Sequence, residues 1–373
     1  MRLTLQRIGT ITAIMVAVFL LDPQTAFAHE RWFVHDPNSF QVDFRLLFSL
    51  PVLGALVVGG AAVTTAYLLS QRYVTWEAAH HPSEENILLG IGEGRLQRVY
   101  AYLPLLLAVH AAIPLLVSGF QLELFAPNLK MQQNLLGGLV ALAEVLIALA
   151  LVYGVYTDIA ALGLIGLFVG GFILSPLLGI PGLLVFDHIQ FVGIAIFLYI
   201  IGRGPFSADA LLGRRAHPNP ALVQYALPAL RWGLGLSIIV LAFTEKLLNP
   251  TLAQAFLSQK INFNFLSIFG VPDNIFIIFA GIGEFTFGAL LISGYLPRLV
   301  VIAAWIPFNL TLPYLGWVEL AGHLPVYGIL LVLLITGPTN SISARRSAII
   351  LAREAGAIEE AEKEKRAGTA STV

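Results

Sequence analysis

The sequence contains no cysteine, and only 12% of its 373 residues are charged. The first absence removes disulfides, thiolate metal ligands, cysteine-ligated iron–sulfur clusters and CxxC redox chemistry. The second is a departure from soluble chains, in which about a quarter of residues are charged. No long run of one charge sign exists, and the net charge is -1, so nothing marks a nucleic-acid partner. Eight histidines are the only side chains left for haem or soft-metal ligation. What is present in excess is apolar: 57% of residues are hydrophobic and the mean hydropathy is +0.82. The solvent implied is a lipid bilayer.

Met1–Ala28 opens with Arg2 and Arg7, continues through an apolar stretch, and ends in Ala26-Phe27-Ala28. Small residues flanking one position form a signal-peptidase site, so residues 1–28 read as a secretory leader cleaved after Ala28. Residues 29–45 then form an extracytoplasmic segment. Crossing about 30 Å of hydrocarbon takes about 20 apolar residues. Nine segments meet or approach that length, at about 46–70, 98–120, 133–153, 158–176, 181–201, 228–247, 273–293, 298–315 and 323–338. The fold class expected is all-α, a polytopic transmembrane helix bundle. Arg72, Arg95, Arg98, Arg203, Arg214, Arg215, Arg298, Arg345 and Arg346 fall in alternate connections. By the positive-inside bias the mature N-terminus is outside and the C-terminus is cytoplasmic, although Arg31 and Arg45 count against it. That describes a multi-pass protein of a bacterial-type inner membrane. The charged residues 345–373 read as a cytoplasmic tail.

The two halves of the chain resemble each other. Ala143-Glu144 and the break at Tyr156-Thr157-Asp158 match Gly283-Glu284 and the break at Leu296-Pro297-Arg298, 140 residues on. Asp187-His188 matches Gly322-His323, and Glu123 to Pro127 matches Lys246 to Pro250. The chain therefore reads as two parallel four-helix repeats, 98–205 and 225–338, plus one extra N-terminal helix at 46–70.

Polar groups within apolar spans mark the candidate sites. Glu144 and Glu284 fall near the middle of their helices, where each must be protonated, paired or open to a hydrated cleft. His110 is also mid-helix, either a neutral imidazole bonded to a neighbouring helix or a haem or quinone contact. At the ends expected to face outward gather Glu123, Asp187, His188, Glu245, Lys246, Glu319 and His323. Carboxylates beside imidazoles handle protons or orient metal ligands. His323 is expected to start a helix, with Pro325 in its first turn. Arg231 is expected to close the inner end of its helix or snorkel there. If His29 becomes the first residue, its amine and imidazole, with His35 six residues on, form a possible copper site.

The second half resembles the DoxX-like membrane family. The resemblance rests on Leu230-Arg231-Trp232-Gly233-Leu234-Gly235, Phe243-Thr244-Glu245-Lys246-Leu247-Leu248-Asn249-Pro250, the Gly281–Leu291 run containing Glu284, and Gly294-Tyr295-Leu296-Pro297-Arg298. Lys246, Glu284 and Arg298 match the family pattern. In the first half Glu123 stands for the lysine and Asp158 for the arginine. The family includes a subunit resembling thiosulfate:quinone oxidoreductase, which implies an inner-membrane redox role but transfers no catalytic residue.

Three functions follow as expectations. The first is a redox component, possibly quinone-linked, working near the outer face through Asp187, His188, Glu319, His323, Lys246 and Glu284, with His110 and Glu144 toward a bound quinone or haem. The second is a small-solute or ion transporter. The third is a non-enzymatic redox or assembly subunit that handles copper through His29 and His35. N-terminal sequencing of the membrane-extracted protein should begin at His29; an earlier start means that the leader is retained.

Overall fold

The computed structural model describes residues 30–34, 36, 39–80, 85, 86, 91, 92, 99–214, 220–258, 263–310, 317–337 and 341–354. Its principal helices are α1 (Leu50–His80), α2 (Leu103–Phe120), α3 (Leu135–Tyr153), α4 (Thr157–Ile173) and α5 (Gln190–Ile201). They continue as α6 (Ala226–Leu241), α7 (Asp273–Ser293), α8 (Pro297–Leu310), α9 (Trp317–Thr336) and α10 (Ser341–Glu354). Among the described residues the only strands are Glu85–Asn86 and Ile91–Gly92, a two-residue antiparallel ladder between α1 and α2. The leader and both ends of the copper idea, His29 and His35, lie outside the described residues.

The helices form because apolar residues surround them on all sides, as expected where lipid or protein covers every face. Their ends are set by local chemistry. The Asn134 carboxamide accepts the Gly137 N–H at 2.8 Å, capping α3. Pro297 occupies the first turn of α8, where its missing N–H costs nothing. Among the described residues five helices are long and apolar enough to cross a membrane, six if one bent pair counts as a single span. The protein is thus a multi-pass, helical membrane protein. Helices α4 and α9 are apolar but shorter.

Two local expectations need correction. The span at 181–201 is broken: a 3-10 stretch, Gly182–His188, meets α5 at 50°. At the break the Ser237 hydroxyl donates to the Asp187 carbonyl, which replaces a helical hydrogen bond. Helix α9 begins at Trp317, so His323 lies in its second turn and Pro325 is internal. One lost N–H bond is tolerated where neighbouring helices cover the turn. The tail begins within α10, which buries Ala348, Leu351 and Ala352.

In the first half α2 packs on α3, α3 on α4, α4 on α5, and α5 returns to α2. In the second half α6 packs on α7, α7 on α8, α8 on α9, and α9 returns to α6. Two seams join these rings, α5 along α6 and α9 along α2, and α1 lies outside them against α7. One continuous core, including Leu107, Leu115, Leu198, Leu234 and Leu330, runs through both rings.

The α5–α6 seam depends on glycine. A Cβ on Gly233 would stand 2.8 Å from the Gly193 Cα, and one on Gly193 would stand 2.5 Å from the Ala229 carbonyl oxygen. Both obstacles are backbone and cannot turn aside. Gly193→Val should therefore destabilise the folded protein by about 3 kcal/mol. Gly166→Ala should be neutral, because nothing lies within 4 Å of a Cβ there. Reversible unfolding in mixed micelles measures both, and equal stabilities would contradict the described seam.

Candidate functional site

The last two turns of α6 change register. The Leu248 N–H donates to the Phe243 carbonyl at 2.9 Å, a five-residue step, and Ala242–Leu247 is π-helical. Such segments expose backbone carbonyls and concentrate at functional positions. Here the segment carries Thr244, Glu245 and Lys246, all buried.

Lys246 Nζ lies 2.9 Å from Glu30 Oε1 and 3.0 Å from Glu284 Oε1. Glu284 comes from the middle of α7. Glu30 comes from a single helical turn, Glu30–Phe33, well before α1. The neighbouring Arg31 is 2% exposed. Its Nη2 donates to the Thr244 carbonyl at 3.0 Å and its Nη1 to the Phe40 carbonyl at 3.3 Å. Thr244 Oγ1 in turn donates to Asp187 Oδ1 at 3.1 Å. Glu245 is close enough to Lys246, Glu30, Asp187 and Arg31 to feel the charge of each.

Four carboxyl groups thus surround two cations. A pair of unit charges about 4 Å apart interacts by about 4 kcal/mol even at an effective dielectric of 20. Full ionisation would leave two unbalanced negative charges in a buried place, so protons or bound cations must offset them. Consistently, Glu245 Oε1, Glu30 Oε2 and Glu284 Oε2 are buried with no hydrogen-bond partner among the described residues. Burial raises the Glu30 carboxyl above its ordinary range; Lys246 opposes that rise and Glu284 adds to it.

The first half handles its mid-helix carboxyl differently. Glu144 is fully buried, and its Oε1 accepts from Ser118 Oγ at 2.8 Å and from the Phe125 N–H at 2.9 Å. The loop that aims this N–H holds Leu122 and Phe125 at φ +59° and +64°, a conformation costly for residues with side chains. Glu123 lies near Glu144 and feels the charge of the exposed Lys130, with whose backbone it also pairs.

The expected outer cluster is therefore divided. Lys246, Glu284, Glu245 and Asp187 come together. His188, although adjacent to Asp187, packs against the Phe125 ring, 6.0 Å between centroids. The break before α5 sends the two side chains into different surroundings. His323 packs against Phe308 and Tyr327, at 5.1 and 6.3 Å. Glu319 lies in the first turn of α9, and its side chain is outside the described residues. His110 places Nδ1 2.7 Å from the Leu106 carbonyl of its own helix. It sits in the α2–α9 seam, where a Cβ on Gly328 would meet its side chain at 2.9 Å. The Arg231 guanidinium extends over Gly294 at the end of α7. Among the described residues no three His, Asp or Glu side chains are arranged to hold a metal ion.

Glu30 and Arg31 were not among the expected site residues. Their only signal was position: two opposite charges just before a long apolar span, in a chain poor in charge. No protein-family model, curated protein or solved structure matches this chain.

Burial raises the Glu123 carboxyl to about 7, with Lys130 opposing. The folded state then binds this proton more tightly than the unfolded state. Its stabilising effect is complete below the ordinary glutamate range and is lost as pH rises toward 7. Unfolding titrations should show up to about 3 kcal/mol of stability lost across that window. Glu123→Gln should flatten the profile, and an unchanged profile would remove Glu123 as its source.

Proposed function

We propose that this protein is two fused four-helix units related to the DoxX-like family, with one proton-exchanging site, in the second unit, that serves redox chemistry on a quinone-class ligand. The observation that carries this reading is the surplus of buried carboxyl groups around Lys246 in a π-helical segment. A quinol releases protons together with electrons, and a positioned carboxylate is the group that accepts them. Glu284 is the most open of the three ion-paired side chains, at 36% exposure against 10% for Lys246 and 12% for Glu30. It is the carboxyl that a ligand would reach first. Electrons would pass to a partner subunit or a bound redox group.

Several observations support the two-unit reading. The contacts within the two rings follow the same order, and the seams exchange equivalent helices. The turns between the second and third helices share a backbone: Gly154 and Tyr156 have φ +64° and +47°, Gly294 and Leu296 +70° and +48°. Gly193 meets Gly233 in one seam and Gly328 meets His110 in the other. The members of these contacts correspond at the spacings that relate His188 to His323 and Glu123 to Lys246. Lys246 and Glu284, two of the positions that carry the family resemblance, form an ion pair. An odd number of crossings, read with the arginine bias, favours a site at the outer face. Arg298, bonded to the Leu334 and Ile335 carbonyls, and Arg203, bonded to those of Leu151 and Val152, lie toward the other end.

Purified protein in nanodiscs should bind a short-chain quinone analogue. Lys246→Met and Glu284→Gln should each weaken binding at least about tenfold, or about 1.4 kcal/mol. Glu144→Gln, in the first unit, should stay within about twofold, well under 1.4 kcal/mol. Equal affinities throughout would overturn the quinone reading. Two parallel units with a mid-helix carboxyl also suit a proton-coupled transporter. Ion-driven acidification of liposomes without quinone would select that reading instead.

A further inference from the structure

We infer that Glu30, from the segment ahead of the first membrane helix, is the group through which the buried Lys246–Glu284 site exchanges protons with water. This rests on the proton-handling reading above and adds its route. The ion pairs form a chain: Glu284 Oε1 to Lys246 Nζ is 3.0 Å, and Lys246 Nζ to Glu30 Oε1 is 2.9 Å. Glu284 belongs to a membrane-length helix; Glu30 does not. Glu30 is therefore the end of the chain that lies outside the apolar spans. Its side chain is 12% exposed, so it touches the surface, and its second oxygen, Oε2, is buried with no hydrogen-bond partner among the described residues and can carry a proton inward of that surface.

The segment that delivers Glu30 is built into the protein. Arg31 is anchored on the Thr244 and Phe40 carbonyls. Asn249 Nδ2 donates to the same Phe40 carbonyl at 3.3 Å, and the Asp43 N–H donates to the Leu248 carbonyl at 2.8 Å. Val34 is buried among Leu252, Ala253, Phe256, Leu257 and Ile277. Apart from Phe40 within the segment and Ile277 in the first turns of α7, these partners lie at the end of α6 or just beyond it, so the segment holds Glu30 against Lys246. The charged groups facing Glu30 are Lys246, Glu284 and Arg31, with Glu245 beside them.

The transfer balances. The Lys246 ammonium gives one N–H proton to the Glu30 carboxylate, and the resulting amine takes the proton of the Glu284 carboxylic acid. Lys246 is again an ammonium, Glu284 is a carboxylate and Glu30 is a carboxylic acid. Glu30 then releases its proton to water and the starting charge on the outer group is restored. One O–H bond is broken at Glu284 and one is formed at Glu30, and the Glu30 bond is then broken as water takes the proton, with no redox change.

The test follows the protonated-carboxyl infrared band of the full-length protein after a rapid jump from acidic to alkaline buffer, with no quinone present. Wild type should lose the band of the buried carboxyls quickly. Glu30→Gln should slow the loss at least about tenfold, and millimolar formate, a small diffusible acid, should restore the rate. Asp36→Asn, on the same segment but exposed, should match wild type. Unchanged kinetics in Glu30→Gln would overturn the assignment while leaving the proton-handling site intact. Slowing that formate does not relieve would also overturn it, marking Glu30 as a structural contact. No buried carboxyl band in wild type would instead remove the proton-handling reading itself.

Discussion

One lysine ammonium held between two carboxylates is the constraint on which the rest of this structure turns. Lys246 is nearly surrounded by protein, at 10% exposure, and a buried ammonium without counter-charge costs several kcal/mol. Its partners come from far apart in the chain, one from mid-α7 and one from before α1. Meeting them fixes how α7 lies beside α6, and it fixes where the N-terminal segment rests. The π-helical register of Ala242–Leu247 belongs to the same arrangement. It places Glu245 and Lys246 inward together, and it leaves the Thr244 carbonyl for Arg31 to satisfy.

The two halves show two solutions to one problem, a carboxyl in the middle of an apolar helix. Glu144 is matched by neutral donors, a serine hydroxyl and a backbone N–H, at the expense of two left-handed residues in the adjoining loop. Glu284 is matched by a charge, and the surroundings then contain more acids than bases. The first arrangement meets one oxygen with neutral donors and leaves Glu144 Oε2 buried without a partner among the described residues; the second sets buried cations against a surplus of acids. That difference, rather than the presence of a carboxyl, is why chemistry is assigned to the second half.

Much of the helical layout was legible in the sequence because length and apolar content decide it. Each of the nine expected spans corresponds to a helix or a broken pair. The errors came where a polar contact outweighs the local pattern. The Ser237 hydroxyl at the Asp187 carbonyl breaks one span, and Pro325 is absorbed inside a packed helix rather than starting it. Of the site, Lys246, Glu284 and Asp187 were legible as polar groups in apolar surroundings. Their separation from His188 and His323 was not, because adjacency in sequence at a helix break says little about direction. Glu30 and Arg31 were illegible for another reason. A short polar stretch next to a helix reads as a connection, and only its burial separates a connection from part of a site.

The Arg31–Thr244 contact joins residues 213 positions apart. During synthesis the early turn must wait while six further helices are made before its carbonyl partner exists, and longer still for Glu284. Local helices form first, and distant pairings come late. The charged cluster therefore cannot close until α7 has been made. A chain in which α6 or α7 were misplaced would leave Glu30 and Arg31 without the partners that bury them here.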